Sequence, residues 1–120
     1  MSVSGDDLTF YHNPRCSKSR SALALLQERG VVPRIVEYLQ QPPSRETLAD
    51  LVRLLEIKPE GLVRKGEAIY REQYKDKSLN DEQWIDALAQ NPILIERPIA
   101  VRGNRAVIGR PPEAVLDLLD

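Results

Sequence analysis

Residues 8–20 read Leu8-Thr-Phe-Tyr-His-Asn-Pro-Arg-Cys-Ser-Lys-Ser-Arg20, and this stretch decides the fold. Its first four residues are rich in β-formers and predict a short strand, which the turn signal Asn13-Pro14 ends. A helix is predicted over residues 17–29, with Gly30 as its stop. Its apolar face carries Ala22, Leu23 and Leu26. A second strand is predicted at 34–38. A strand–helix–strand unit of this length makes the two strands parallel.

The middle of the chain has the periodicity of helices. Ser44 is a predicted N-cap, and the apolar residues after it follow i, i+3, i+4, i+7 spacing at Leu48, Leu51, Val52 and Leu55. Residues 58–74 are polar and predict short helical turns. Asn80 and Gln83 have the spacing of a capping box, after which Trp84, Ile85 and Leu88 are expected to face a core.

The last third predicts a β-hairpin and a closing helix. Residues 98–102 and 105–108 flank Gly103-Asn104, a two-residue hairpin turn. Pro111-Pro112 suits the first turn of a helix whose Ala114, Val115 and Leu118 share a face. The predicted fold is therefore α/β. A mixed four-stranded sheet, built as βαβ and then ββα, is flanked by helices, and a helical insertion separates its two halves.

Composition limits the functions that the chain can have. It has 120 residues, 42% of them hydrophobic, which fits one domain at 8–120 after a flexible tail at 1–7. The formal net charge of −1 gives no broad basic field, so nucleic acid is not an expected partner. The start of the chain lacks the features of a secretory signal, and its longest apolar run is too short to span a bilayer. We expect a cytoplasmic protein without membrane contact.

Cys16 is the single cysteine, so the chain cannot form an internal disulfide. A lone cysteine is usually a small buried hydrophobe. Cys16, however, lies between a strand and the N-terminus of a helix, where the helix dipole and unpaired N–H groups favour anions and a thiolate. Arg15, Lys18 and Arg20 add local positive charge. These features favour Cys16 as a nucleophile over Cys16 as a buried hydrophobe.

Arg97 and Arg110 are the second candidate pair. If Gly103 and Asn104 form the turn, Arg102 faces Arg105, and counting outward places Arg97 opposite Arg110. Two guanidinium groups this close repel each other unless an anion lies between them. Two solvated arginines at strand ends are an equally good interpretation of the sequence alone.

The remaining candidates are weaker. His12 either tunes Cys16 or is a polar residue at the end of a strand. Arg64 by itself predicts only a solvated side chain. One histidine and one cysteine nearly exclude a structural zinc site, and no metal centre is expected. The sequence Cys16-Ser-Lys-Ser19 lacks the second cysteine of a C-x-x-C pair, so disulfide exchange requires an outside thiol.

Residues 11–20, Tyr11-His-Asn-Pro-Arg-Cys-Ser-Lys-Ser-Arg20, resemble the active-site opening of the ArsC family, the glutaredoxin-linked arsenate reductases with a thioredoxin-like fold. The resemblance continues in order through five further motifs. They are Glu37-Tyr-Leu39, Leu62-Val-Arg-Lys65, Asn91-Pro-Ile-Leu94, Glu96-Arg-Pro-Ile99 and Gly109-Arg-Pro-Pro112. Several motifs in register are more specific than any one of them, and together they extend over most of the chain.

The resemblance implies a role for each matching position. Cys16 is similar to the catalytic cysteine, and Arg64, Arg97 and Arg110 match three oxyanion-binding arginines. His12 and Ser19 match residues that help to hold the thiol as thiolate. A cis peptide bond is implied between Arg97 and Pro98.

The implied reaction is the reduction of arsenate to arsenite for arsenic detoxification. Glutathione would be the co-substrate and glutaredoxin the partner, and no bound cofactor is expected. Two alternatives stay open. One is a glutathione-dependent reductase of another oxyanion or of a thiol substrate. The other is a non-enzymatic interaction protein of the Spx type, although three oxyanion-binding arginines would have no use in such a protein.

Overall fold

The computed structural model describes residues 8–119, so the tail predicted at 1–7 lies outside the described residues. The strands are β1 (Leu8–His12), β2 (Arg34–Glu37), β3 (Ile99–Arg102) and β4 (Arg105–Ile108). The α-helices are α1 (Ser17–Glu28), α2 (Arg45–Leu55), α3 (Ala68–Gln73) and α4 (Asp81–Gln90). Three 3-10 helices lie at Pro59–Leu62, Pro92–Leu94 and Pro112–Leu119. None of the helices in this part of the chain is long and apolar enough to cross a membrane.

The chain forms two compact units. One is built from the residues before Pro42 together with those after Glu96, and the other is Pro42–Glu96. The first unit contains all four strands, and the second contains the helical insertion that the sequence predicted. A single domain at 8–120 stays a prediction.

The sheet has the strand order β2-β1-β3-β4. β1 and β2 are parallel, as the strand–helix–strand pattern predicted, whereas β1 with β3 and β3 with β4 are antiparallel. The hairpin register is confirmed, because Arg102 pairs with Arg105 across a turn in which Gly103 has a φ of 61°. This positive φ is readily adopted by glycine. The predicted mixed sheet flanked by helices is therefore correct.

The core of the first unit is an apolar cluster on one side of the sheet. Its buried members are Leu8, Phe10, Ala22, Leu26, Val31, Ala100, Val115 and Leu118. The face predicted for α1 is thus the buried one, and Leu23 packs against it partly buried. The helix ends at Arg29, and Gly30 follows with a φ of 78°, which confirms the predicted glycine stop.

The predicted closing helix is present. Residues Pro112–Leu119 form a 3-10 helix. Val115 and Leu118 are its buried residues, whereas Ala114 is only half-buried. A 3-10 helix has three residues per turn, so it aligns residues i and i+3 on one side. The spacing of Val115 and Leu118 fits that geometry.

The second unit confirms both predicted caps. The hydroxyl of Ser44 accepts a hydrogen bond from the Thr47 backbone N–H at 3.1 Å, and Asn80 and Gln83 form the complete capping box. Trp84 and Leu88 are buried, whereas Ile85 is half-buried and Ala87 occupies the buried position instead. On α2, Leu48, Leu51 and Val52 are buried, and Leu55 at the helix end is half-buried.

Gly109 follows β4 at a place where a side chain has no room. A Cβ there would lie 2.7 Å from Pro98 Cγ and 3.2 Å from Val115 Cγ1, whereas a Cβ at Gly66 would meet nothing within 4 Å. We expect Gly109→Ala to lower the free energy of unfolding by about 1–3 kcal/mol, since overpacking forces neighbours to move. Gly66→Ala should stay within about 0.5 kcal/mol. Urea unfolding of the two variants beside the parent measures both, and equal stabilities would contradict the packing argument.

Candidate active site

The turn between β1 and α1 is built by Asn13, which is 8% exposed. Its backbone oxygen accepts a hydrogen bond from the Cys16 N–H at 3.0 Å, and its Oδ1 accepts one from the Arg15 N–H at 3.0 Å. Its own N–H donates to Ser19 Oγ at 3.1 Å. An asparagine side chain that bonds the backbone two residues later is a typical turn former. Asn13 therefore fixes the position of Cys16, a function that the sequence analysis did not assign to it.

Cys16 is the N-cap of α1 and has an extended backbone, with φ −95° and ψ 122°. Its carbonyl accepts the hydrogen bond from the Arg20 N–H at 3.0 Å, but its side chain forms no capping bond. The thiol is partly exposed. Because the first turn of a helix presents N–H groups and the positive end of the dipole, this is a suitable position for a nucleophilic thiolate and an anion.

His12 and Ser19 contact each other. His12 Nδ1 lies 2.7 Å from Ser19 Oγ, and both residues are buried. Because the Asn13 N–H already occupies one lone pair of Oγ, the serine hydroxyl is free to donate to Nδ1, which would leave the imidazole proton on Nε2. Burial lowers the pKa of His12; the Glu37 carboxylate opposes this shift and the Arg20 guanidinium adds to it. That His12 and Ser19 help to hold Cys16 as a thiolate stays a prediction.

Arg97 and Arg110 meet at the open end of the hairpin, as the register predicted. Arg110 Nε donates to the Arg97 carbonyl oxygen at 3.2 Å, and the Gly109 N–H donates to the Pro98 carbonyl oxygen at 2.8 Å. The Arg97–Pro98 peptide bond is cis, as the resemblance implied, and the Arg110–Pro111 bond is cis as well.

The guanidinium group of Arg97 is incompletely hydrogen bonded. Its Nε and Nη1 atoms are buried and have no hydrogen-bond partner among residues 8–119. A buried charged donor without a partner is costly, and native proteins rarely leave one in that state. Anionic oxygens that accept hydrogen bonds at these atoms would remove this cost.

β1 places Cys16 at the same end of the strands as Arg97 and Arg110. Tyr11 pairs with Ile99 in the antiparallel register, so the end of β1 at His12 lies beside Pro98. The turn that carries Cys16 begins immediately after His12. The first unit therefore places Cys16, Arg97 and Arg110 at the end of one strand pair, without a contribution from the rest of the chain.

Arg64 belongs to the second unit. Its backbone N–H donates to the Leu94 carbonyl oxygen at 2.7 Å, beside an isolated antiparallel bridge between Val63 and Ile95. Its guanidinium forms ion pairs with two carboxylates: Nη1 lies 2.5 Å from Glu67 Oε2, and Nε lies 3.3 Å from Glu96 Oε1.

The sequence analysis did not single out these two glutamates. The i, i+3 spacing of Arg64 and Glu67 is a visible signal for one pair. The pairing with Glu96 depends on the bridge, which no local pattern predicts. Among residues 8–119, no group of three or more His, Cys, Asp or Glu side chains could hold a metal ion.

A family model described as the ArsC family matches residues 11–118. The chain belongs to the ArsC family. An arsenate reductase of Neisseria meningitidis is 39% identical over 111 residues, which is 91% of this chain and 95% of that protein. An uncharacterized protein of Escherichia coli K12, YfgD, is 49% identical over 111 residues, covering 91% of this chain and 93% of its own.

Solved structures show the same relationship. A structure described as an arsenate reductase from Vibrio cholerae superposes with a TM-score of 0.91 at 41% identity, covering 99% of this chain and 100% of that one. The thioredoxin-like fold that the resemblance implied is thereby confirmed for this ArsC-family chain.

The buried state of His12 predicts a pH dependence. Because burial lowers its pKa below the usual 6.5, the unfolded chain binds a proton at a higher pH than the folded one. The free energy of unfolding should therefore fall as the pH drops below about 6.5. The decrease should end once the pH is below the pKa of His12 in the folded protein. His12 is the only histidine, so its ring signals in an NMR titration are unambiguous. We expect a midpoint below 6.5, and His12→Asn should remove this part of the pH dependence of urea unfolding. A midpoint above 6.5 would contradict the effect of burial.

Proposed function

We propose that this ArsC-family chain reduces arsenate to arsenite, with Cys16 as the nucleophile and with glutathione and glutaredoxin as reductants. The observation that supports it best is the pair of buried Arg97 donors that lack a partner among residues 8–119, next to Arg110 and at the same end of the strands as Cys16, the N-cap of α1. The names of the relatives support the choice of arsenate among oxyanions.

Arsenate carries a charge that a thiolate cannot approach without compensation. A guanidinium group is planar and always charged, and its parallel N–H donors match two oxygens of a tetrahedral oxyanion. Arg97 Nε and Nη1 are buried donors without a hydrogen-bond partner among residues 8–119, and Arg110 Nε donates to the Arg97 carbonyl oxygen at the same end of the hairpin. The family resemblance assigns a third guanidinium to Arg64. These charges would orient arsenate and lower the electrostatic cost of attack.

The proposed first step is attack of the Cys16 thiolate on arsenic, with loss of one arsenate oxygen as water, to give a thiol–arsenic adduct. The thiolate of glutathione then binds arsenic, and a second oxygen leaves as water. A glutaredoxin thiolate attacks the glutathione sulfur and forms a mixed disulfide. The sulfur–arsenic bond breaks with its electron pair on arsenic, which becomes arsenic(III). Water cleaves the bond to Cys16 and releases arsenite.

This scheme draws both electrons from outside thiols, because the chain has only one cysteine. Two thiols are oxidised to one disulfide while one arsenic(V) is reduced to arsenic(III), and no bound cofactor is required. A reducing compartment must regenerate the thiols, so we expect the protein to act in the cytosol.

Replacing the nucleophile tests the reaction directly. We expect Cys16→Ser to bring arsenate-dependent NADPH oxidation, coupled through glutathione reductase, glutathione and glutaredoxin, to the background rate. The reason is that a serine hydroxyl is not ionised at neutral pH. Circular dichroism and urea unfolding should show an intact fold. Substantial activity in the variant would disprove Cys16 as nucleophile. A folded parent protein without arsenate turnover would favour another oxyanion, a thiol substrate or a binding function.

The shape of the Arg97 guanidinium provides a second test. Arg97→Lys keeps the charge but loses the paired donors, so we expect kcat/KM for arsenate to fall by roughly tenfold to a hundredfold. Arg105→Lys is a matched control on the same hairpin, because Arg105 is exposed and donates to the Asp117 carbonyl oxygen at 2.6 Å. Equal kinetics for the two variants would contradict two-donor binding by Arg97.

A further inference from the structure

A cavity of about 240 Å³ opens beside the Cys16 turn, on the side of β2. His12 and residues 13–15 of the turn form one wall, and Glu37, Leu39 and Gln40 at the end of β2 form the other. His12 pairs with Glu37 in the parallel register, so the cavity lies at the carboxyl ends of two parallel strands. Ligands of open α/β sheets bind at such ends. None of the residues proposed to bind the oxyanion lines it.

The cavity walls carry one charged side chain of each sign. Arg15 and Glu37 are both exposed, and neither forms a salt bridge or a side-chain hydrogen bond within the described part of the chain. Leu39, which is 40% exposed, and Pro14 supply apolar surface between them. This pattern fits a small ligand that has a carboxylate, an ammonium group and a short apolar section.

The backbone of the turn wall is held in place. Asn13 forms three hydrogen bonds with its own turn and α1, as described above, and Arg20 Nη1 donates to the Pro14 carbonyl oxygen at 2.9 Å. A wall fixed in this way needs little rearrangement on binding, which favours a preformed site.

We propose that this cavity binds the small thiol that reacts after Cys16. The inference rests on the proposed function, which requires an outside thiol because the chain has only one cysteine. A tripeptide spans at most about 10 Å when extended, and Arg15 is the neighbour of Cys16 in the chain, so a thiol held here reaches the sulfur. Glutathione has the required chemistry: Glu37 would bind its ammonium group and Arg15 one of its carboxylates.

Binding can be measured without turnover by using S-methylglutathione, which has no free thiol. We expect a titration of the full-length, ¹⁵N-labelled protein to shift the backbone amide signals of Asn13, Arg15, Glu37, Leu39 and Gln40. Signals shifted only elsewhere, or no shifts at about 10 mM ligand, would overturn the site. Because arsenate is absent, this result is independent of whether the chain reduces arsenate.

A thermodynamic cycle tests the contact between Glu37 and the ammonium group. The parent protein should bind S-methylglutathione roughly threefold to tenfold more tightly than its N-acetyl derivative, which lacks that charge. Glu37→Gln should abolish the preference for S-methylglutathione over the N-acetyl derivative. Glu28 is an exposed glutamate on α1 outside the cavity, so Glu28→Gln should retain this preference. A preference that persists in Glu37→Gln would overturn the assignment of Glu37.

Kinetics separate this site from the oxyanion site. Glu37→Lys should raise KM for glutathione several-fold and leave KM for arsenate unchanged, whereas Glu28→Lys should change neither. If Glu37→Lys turns over arsenate with an unchanged KM for glutathione, the cavity is not the glutathione site, although the proposed reaction is still supported. S-methylglutathione binding at these residues without arsenate turnover would support the cavity and overturn the choice of arsenate.

Discussion

The hydroxyl of Ser19 connects the last residue of β1 to the first turn of α1, and the geometry of the site depends on this connection. It accepts a hydrogen bond from the Asn13 N–H and lies 2.7 Å from His12 Nδ1, with no exposure to solvent. A buried network of this kind is rigid when every member is satisfied. The position of Cys16 relative to the strand, and the turn wall of the neighbouring cavity, both follow from it.

The two units balance the charge of a half-buried arginine in different ways. Arg64 has two carboxylates as partners, so its charge is balanced by its own unit. Among residues 8–119, Arg97 Nε and Nη1 are buried donors without a partner, and Arg110 Nε donates to the Arg97 carbonyl oxygen. Balanced charges are typical of a structural ion pair, and unbalanced ones are typical of a binding site. An anion that binds Arg64 would have to compete with Glu67 and Glu96, whereas at Arg97 Nε and Nη1 it would displace no partner among residues 8–119.

Much of the fold could be predicted because the deciding signals are local. Gly30 ended α1, the capping box began α4, and Gly103-Asn104 set a register that brought Arg97 and Arg110 together. The burial of the Arg97 donors, the ion pair of Arg64 with Glu96 and the cavity at Glu37 could not be predicted, because each depends on residues distant in sequence. The closing helix was predicted without its type, because three-residue spacing occurs in both kinds of helix.

The position of β2 at the edge of the sheet has a consequence for solubility. No strand within residues 8–119 pairs with its outer side, so its backbone groups there are open to another chain. The strand has only four residues and carries Arg34 and Glu37 at its ends, with Ile35 exposed between them. Short length and terminal charges oppose edge-to-edge pairing. Glu37 thus protects this edge against aggregation, and an apolar residue in its place would promote self-association before it affected folding.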